Sequence, residues 1–391
     1  MTMDYTAQSL RFQIKKAVRY VLLYGPRRTW VKIQGQYHMK QHYDRLPKVA
    51  NPPESGGHVA IIGCGNFSYS NIAFYLRKNF GRVIRAAMDI DIHRAASLFD
   101  RYGLRYYADH AEPLLADPAI DLVYIASNHA SHAEYAIKVL ESGKNVHIEK
   151  PHVVSEEQLI RLCQAMLRNP GKVNLGFNRP QSLHFLKLKE ALDHQSGPLM
   201  MNWFVVGHEI SPDHWYSKSE EGGRVFGNLC HWIDFIYQLI PEESRYPITI
   251  TPTRASRSDC DIAVTYIFGD GSIAVITFSS KGHTFEGVRE RFTVQRENVI
   301  AALDDFKTLV IEEVADKRVI TTRYRDHGHE QNIRRSYLMV TGQDGRFMGC
   351  TVQYVWETGQ LFLKTREALE TDSKVVLAPY DETLLAHRVN S

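Results

Sequence analysis

Between residues 58 and 177 the sequence alternates short, β-branched runs with helical stretches, and this order constrains the fold more than any other feature. The runs lie at residues 58–62, 83–88, 121–126, 145–148 and 173–177. Helices are predicted from about Ser70 and at residues 92–102, 131–142 and 155–168. Repeated strand–helix–strand order requires a mostly parallel sheet with helices on both faces. Such sheets bind ligands beyond the carboxyl ends of their strands, so the turns there are the predicted functional positions.

The turn after the first run has the pattern G-x-G-x-x-S, which favours a dinucleotide site. Gly63 permits the tight turn, and Gly65 lets the backbone approach a pyrophosphate at the amino end of the next helix. Asp89 ends the second run, where a carboxylate accepts hydrogen bonds from a ribose diol and repels a 2′-phosphate. The predicted cofactor contacts here are Gly63, Gly65, Asn66, Phe67, Ser68 and Asp89. We therefore expect a doubly wound Rossmann sheet that binds NAD(H), with NADP(H) less favoured.

Two later strand ends read Ala126-Ser127-Asn128-His129-Ala130-Ser131-His132 and Glu149-Lys150-Pro151. With the glycine turn and the lengths between, they resemble the glucose-fructose oxidoreductase and inositol dehydrogenase family, Gfo/Idh/MocA, over roughly residues 58–380. The resemblance implies a Rossmann domain followed by an α+β domain whose large open antiparallel sheet commonly forms the oligomer interface. It implies that Lys150 contacts the reacting hydroxyl and that the following peptide bond is often cis. The cofactor contacts it implies are Ser127, Asn128, His132, Glu149 and Lys150.

The segment EGGRVFGNLCHWID, residues 221–234, matches the other catalytic segment of this family. At about 100° per residue its apolar side chains share one arc, and Asn228, His231 and Asp234 lie off it. The resemblance makes His231 the acid–base residue, a role that suits a side chain titrating near neutrality. Asn228 and Asp234 can orient its imidazole and are predicted to bind substrate. The family usually has an aspartate where this chain has Gly227, so the usual Lys/Asp/His triad is incomplete.

Residues 176–192, the run GPLMMNWFVVG and Pro212-Asp213-His214-Trp215 resemble one subgroup more closely. It is the oxidoreductase half of bi-domain oxidoreductases associated with surface-polysaccharide gene sets, which implies a nucleotide-activated or uronic-acid sugar. Asn178 and Arg179 would follow a strand, where amide and guanidinium groups bind hydroxyls, carboxylates or phosphates. His214 and Trp215 can hydrogen-bond and stack on a sugar. All four are predicted substrate contacts, with an ordinary loop or interface role as the alternative.

The first 50 residues contain ten Lys or Arg against two acids, a net charge of +8, although the whole chain has only +3. This segment is therefore predicted to be an arm with an acidic partner: its own body, a sister subunit or an anionic membrane surface. No nucleic-acid module is recognisable, so no nucleic-acid partner is expected. The predicted organisation is an arm and linker at 1–57, a Rossmann domain at 58–177 and an α+β substrate and oligomerisation domain at 178–391.

The five cysteines are scattered, which does not favour a disulfide framework. The histidines form no metal-ligand motif, so no metal site is expected. No run has the length of a membrane span or a secretory apolar region, so we expect a cytoplasmic protein. The family resemblance implies a homo-oligomer that assembles through the antiparallel sheet. The predicted function is an NAD(H)-dependent dehydrogenase or ketoreductase acting on a sugar in surface glycan synthesis. Two alternatives stay open: a redox-assisted lyase or glycosidase that recycles its NAD, and a non-catalytic dinucleotide-binding regulator.

Overall fold

The computed structural model describes residues 5–49, 57–208, 215–254, 261–282, 285, 287–342 and 347–381. His214 and residues 51–56 of the predicted linker lie outside these ranges. The chain divides into two compact units that interleave along the sequence. The Rossmann unit contains residues 26–176 and 330–356, and the second unit contains residues 1–25, 177–329 and 357–391.

The basic amino-terminal arm begins with two helices, α1 at Leu10–Tyr24 and α2 at Pro26–His38. The Ser9 hydroxyl caps α1 by accepting a hydrogen bond from the Phe12 amide. Gly25, with φ 84°, separates the helices, and that left-handed conformation favours glycine. Because the units divide at this residue, α1 belongs to the second unit and α2 to the Rossmann unit.

The Rossmann unit is built on a parallel sheet of six strands in the order β3-β2-β1-β4-β5-β6. Its strands are β1 (Val59–Ile62), β2 (Ile84–Met88), β3 (Tyr106–Ala108), β4 (Leu122–Ile125), β5 (Asn145–Ile148) and β6 (Val173–Leu175). Its helices are α3 (Ala73–Phe80), α4 (Ile92–Tyr102), α5 (Glu112–Ala116), α6 (His132–Glu141) and α7 (Glu156–Arg168). The predicted parallel sheet is confirmed. Strand order reverses between β1 and β4, which is where such sheets bind ligands.

The second unit is built on a nine-stranded sheet, in the order β14-β13-β12-β11-β7-β10-β9-β8-β15. Its first elements are α8 (Leu183–Asp193), β7 (Met200–His208), α9 (Cys230–Leu239), β8 (Ile248–Arg254), β9 (Asp261–Ile267) and β10 (Ile273–Gly282). The later strands are β11 (Arg289–Arg296), β12 (Val299–Asp304), β13 (Thr308–Glu313) and β14 (Asp316–Thr321). The last elements are α10 (His329–Thr341), which belongs to the Rossmann unit from residue 330, α11 (Val352–Thr371) and β15 (Val375–Leu377).

The second sheet is mixed, which corrects the expected antiparallel sheet. β7 pairs parallel with β10, while the other pairings in this sheet are antiparallel. Parallel neighbours need a crossover connection, and the chain between β7 and β10 supplies one that includes α9.

One face of the second sheet is buried and positions α9. Trp203 of β7 packs at 4.9 Å, ring centre to ring centre, against Phe235 of α9. The Tyr266 hydroxyl of β9 lies 3.0 Å from the Thr365 hydroxyl of α11. Along β7 the neighbours of Trp203 point the other way, and Phe204 is exposed. The sheet therefore holds helices on one face and leaves an open, partly apolar face on the other. No helix in the described part of the chain is long and apolar enough to cross a bilayer.

Candidate active site

The glycine turn after β1 has the shape of a pyrophosphate cradle. Gly63 has φ 85°, and a Cβ there would lie 2.5 Å from the Ser127 amide nitrogen, so only glycine lets the turn after β4 approach. At Gly65 a Cβ would have no heavy atom within 4 Å. Open space over an amide at the start of a helix is what an approaching phosphate needs. The residues present therefore fit the predicted dinucleotide.

Asp89, at the end of β2, is buried and connects two turns. Its carboxylate accepts hydrogen bonds from the Cys64 amide at 2.7 Å and from the Asp91 amide at 2.9 Å. Ionised carboxylates have about four acceptor positions, so acceptor positions remain for a ribose diol. The main-chain contacts hold the carboxylate beside the glycine turn. Its negative charge would repel a 2′-phosphate placed there.

Ser68 compensates for the missing third glycine. Its buried hydroxyl donates a hydrogen bond to the Gly63 carbonyl and closes the turn on itself. The helix then begins with a π-helical turn at Ser68–Ile72 before α3. Phe67 packs against the core of the Rossmann unit. The serine is therefore compatible with the turn geometry.

Helix α2 of the basic arm packs directly on the glycine turn. Docking on its own body was one of the three predicted partners of the arm, but the sequence did not indicate this turn. The buried Arg28 guanidinium donates to the Ser70 carbonyl and the Asn71 side-chain oxygen. His38 Nε2 lies 2.7 Å from the Cys64 carbonyl oxygen, and its Nδ1 lies 2.8 Å from the Ser97 hydroxyl. Burial lowers the pKa of His38, so the neutral ring donates to Cys64 and accepts from Ser97.

The close approach of α2 also involves Asn66, one of the predicted cofactor contacts. The Asn66 side chain leaves no room for a Cβ at Gly35 of α2. Thus the arm residues 26–38 belong to the support of the predicted dinucleotide turn. In the sequence, Gly35 and His38 were the residues that could have indicated this contact. Neither forms a recognisable motif with residues 63–68, so the contact was not predicted.

The turns after β4 and β5 are joined by His132. Its Nδ1 lies 2.7 Å from the Pro151 carbonyl oxygen, and its Nε2 lies 3.1 Å from the Ser127 carbonyl oxygen. The ring is buried, and burial lowers the pKa of this imidazole. The exposed Asn128 accepts a hydrogen bond from the Ser131 hydroxyl at 2.7 Å. His132 connects the turns, whereas Asn128 presents its side chain at the surface.

Glu149 and Lys150 follow β5 and are held by residues of the same unit. The Glu149 carboxylate lies 3.2 Å from His147 Nε2, and His147 Nδ1 lies 2.7 Å from the Ser336 hydroxyl of α10. A Cβ at Gly176 would lie 2.6 Å from Glu149, so β6 ends against this carboxylate. The Lys150–Pro151 bond is cis, as the resemblance implied. Lys150 itself is half-buried.

In the second unit, the predicted catalytic histidine occupies the exposed side of a buried segment. A π-helical turn at Val225–Leu229 leads into α9. Across residues 224–240, Asn228, His231 and Gln238 are partly exposed and the others are buried. Asn228 accepts a hydrogen bond from Arg224 at 3.0 Å. Asp234 is fully buried and accepts one from Gln238 at 2.9 Å, so its carboxylate lies beneath this surface.

Gly227 stands where the resembled family usually has an aspartate, and Tyr216 packs against it. A Cβ at this position would lie within 3.0 Å of three atoms of the Tyr216 ring. Tyr216 also packs at 4.4 Å, ring to ring, against the exposed Trp215. An aspartate at position 227 therefore requires Tyr216 to move. The Tyr216 ring, which packs against Trp215, thus occupies the space that an aspartate side chain at position 227 would need.

Arg179 forms a buried ion pair. Its Nε lies 2.6 Å from the Glu290 carboxylate, and the Trp232 indole donates to the same oxygen at 2.5 Å. Burial alone would raise the pKa of Glu290, but the Arg179 charge and His327 outweigh burial and hold it well below its usual range. Asn178 is also buried and donates to the His327 carbonyl. Arg179 thus anchors Trp232, the residue after His231.

Among the described residues, one cluster has the side chains to hold a metal ion. It consists of Glu290, Asp305 and His327, whose three ligand atoms lie within 4.8 Å of one another. However, Arg179 pairs with Glu290, and Arg325 pairs with Asp305. Two guanidinium groups already balance the two carboxylates, and a further cation would face their positive charge. The cluster is better explained as a buried ion network.

Comparisons with known proteins agree with this geometry. Residues 58–177 match the model of GFO_IDH_MocA, described as an oxidoreductase family with an NAD-binding Rossmann fold. Oxidoreductase P35 of Formosa agariphila is 35% identical over 193 residues, 49% of this chain and 55% of that protein. Inositol 2-dehydrogenase 3 of Saccharopolyspora erythraea is 28% identical over 201 residues, 51% of this chain and 58% of that protein. The matches thus span little more than half the length of these relatives.

A solved structure extends the likeness to the fold of both units. Levoglucosan dehydrogenase in complex with NADH and levoglucosan has a TM-score of 0.70 to this chain at 15% identity. The match covers 82% of this chain and 98% of that one. At this identity it shows the fold alone. Residues 58–177 thus resemble the NAD-binding Rossmann fold of the Gfo/Idh/MocA oxidoreductase family.

Proposed function

We propose that this protein is an NAD(H)-dependent dehydrogenase or ketoreductase whose substrate is a sugar. The observation that carries the proposal is the glycine turn, open at Gly65 and bordered by the Asp89 carboxylate. The relatives named for inositol oxidation and the levoglucosan complex support a polyhydroxylated substrate. The surface-polysaccharide resemblance of residues 176–192 supports a nucleotide-activated or uronic-acid sugar within that class.

The proposed chemistry divides between the nicotinamide and two side chains. Bound nicotinamide supplies hydride acceptor and donor capacity. The Lys150 ammonium binds the reacting oxygen and stabilises the negative charge that forms there, while His231 Nε2 or Nδ1 takes the hydroxyl proton. Asn228 and Trp215 are proposed to orient the sugar, because both are at least partly exposed.

Arg179 and Asp234 receive a different role in this proposal. Their contacts with Glu290 and Gln238 are internal to the second unit and hold the segment that carries His231. Both are therefore proposed as positioning residues. Buried polar groups with satisfied partners act through the geometry that they impose on their neighbours.

The open face of the second sheet is proposed as an interface between copies of the chain. Met200 and Phe204 of β7 and Ile300 of β12 are exposed on this sheet. Exposed apolar side chains on one broad face are typical of surfaces that bind another protein. Assembly through this face would shield them from water.

The proposed reaction is tested by incubating the protein with NAD and a panel of sugars, uronic acids and nucleotide sugars. We expect NADH to appear in equal amount to oxidised sugar, followed by absorbance and by product mass. Product without net NADH would favour the lyase or glycosidase alternative. Tight NAD binding without turnover of any member would favour a regulator.

Asp89→Asn is expected to narrow the preference for NAD(H) over NADP(H). The side-chain amide keeps one acceptor oxygen, so it can retain one of the two hydrogen bonds from the Cys64 and Asp91 amides, and it loses the charge that repels a 2′-phosphate. Removing one such repulsion should improve relative NADP(H) affinity by about tenfold. Titration of both dinucleotides checks this, with Asp91→Asn, at the amino end of α4, as the matched control. A wild-type protein that binds NADP(H) as tightly as NAD(H) contradicts the assignment.

A further inference from the structure

The exposed side of α1 is both apolar and basic. Five apolar side chains form what we call the α1 stripe: Leu10 (72% exposed), Ile14 (55%), Val18 (57%), Val21 (36%) and Leu22 (59%). At about 100° per residue they occupy an arc of roughly 120°. Arg11 and Lys15 are exposed on the same side. The described part of this unit does not bury the stripe.

The opposite side of α1 attaches the helix to its own unit. The Phe12 ring packs edge-on at 5.5 Å against Phe285. The buried Leu23 accepts a hydrogen bond through its carbonyl from the Arg325 amide at 2.8 Å, and the Tyr24 hydroxyl accepts one from the Arg325 guanidinium at 3.0 Å. These contacts fix the helix without using the stripe, which therefore faces outward.

Charge identifies the partner of the α1 stripe. The helix carries four basic residues and no acid, and Arg11 and Lys15 lie on the side of the stripe. Packing the stripe against that of a second copy would therefore bring four like charges together. An anionic lipid surface instead supplies both the opposite charge and an apolar layer. We propose that α1 lies in the headgroup region of an anionic membrane, with the α1 stripe inserted and Arg11 and Lys15 at the phosphates. This binding requires neither cofactor nor turnover.

The proposal is tested with the full chain and vesicles of phosphatidylcholine, alone or mixed with phosphatidylglycerol. We expect the protein to sediment with the mixed vesicles, and high salt to weaken this binding by screening. Ile14→Glu/Val18→Glu should weaken it at least about tenfold, because two carboxylates would enter the anionic interface. Leu167→Glu, which changes a residue 62% exposed on α7, is the matched control and should bind as the wild type does.

A second variant separates the charge from the apolar contribution. Arg11→Gln/Lys15→Gln should weaken vesicle binding by about fivefold per lost charge while leaving the stripe intact. Circular dichroism and thermal melting establish that each variant is folded. Absence of binding to the mixed vesicles, or binding by either double variant as tight as that of the wild type, overturns the proposal. So does light scattering that shows a wild-type oligomer dissociated by Ile14→Glu/Val18→Glu, since the stripe would then join two copies.

Discussion

Lys150→Met is expected to lower kcat/KM for the sugar by about a hundredfold or more, with little change in NAD(H) affinity. The reacting oxygen gains negative charge as its proton leaves, and the ammonium stabilises that charge most in the transition state. Methionine keeps much of the length of lysine without its charge. The cis turn after Lys150 and the His147–Glu149 contact before it do not involve the ε-amino group. Thermal melting of the variant distinguishes an effect on turnover from an effect on folding.

Lys138→Met provides the control for Lys150→Met. Lys138 is exposed on α6 of the same unit, so this variant loses the same charge away from the strand ends. Dinucleotide titration and steady-state rates should show normal binding and turnover for Lys138→Met, and normal binding alone for Lys150→Met. Near-normal turnover by Lys150→Met would remove Lys150 from the mechanism.

The Rossmann unit is predictable because its determinants are local in the sequence. β1, the glycine turn and Asp89 each follow from a short run of residues, and the structure places them as the strand–turn–helix pattern requires. The short β3 and α5 were not predicted. Three-residue and five-residue elements contain too few side chains to show a periodic pattern.

The arm and the second unit show where sequence patterns stop being informative. His38 and the Cys64 carbonyl are 26 positions apart, and no periodicity connects them. The parallel β7–β10 pair likewise depends on a crossover, because strand sequences do not encode their partners. Both features arise from tertiary packing, so neither the arm contact nor the mixed sheet followed from the chain alone.

Arg179 illustrates the same limit for the candidate site. A guanidinium after a strand suits a substrate anion, and the sequence offered no reason to prefer Glu290, 111 positions away. Its burial with Trp232 could be recognised only once β11 and α9 were placed. By contrast, His231 was predicted from its spacing and from the resemblance, and its catalytic role stays a prediction. Its partial exposure in a buried segment is consistent with that prediction.

His231→Ala is expected to reduce turnover by about 10²- to 10⁴-fold, the usual contribution of a positioned acid–base group. Because His231 is partly exposed, added imidazole should enter the space left by its ring and restore part of the rate. A residue that only supports α9 would show no such rescue. His194→Ala, an exposed histidine at the end of α8, should behave as the wild type with or without imidazole.

Joint action of His231 and Lys150 is measured by combining their substitutions. If both residues act on the same oxygen, the stabilisation of its charge and the removal of its proton belong to one step. The double variant Lys150→Met/His231→Ala should then be little slower than the slower of the two single variants. Independent roles would make the losses multiply, because separate contributions to the activation free energy add. Single-turnover rates with saturating NAD provide the comparison. Multiplying losses, or a His231→Ala enzyme with near-normal turnover, would contradict the shared acid–base step.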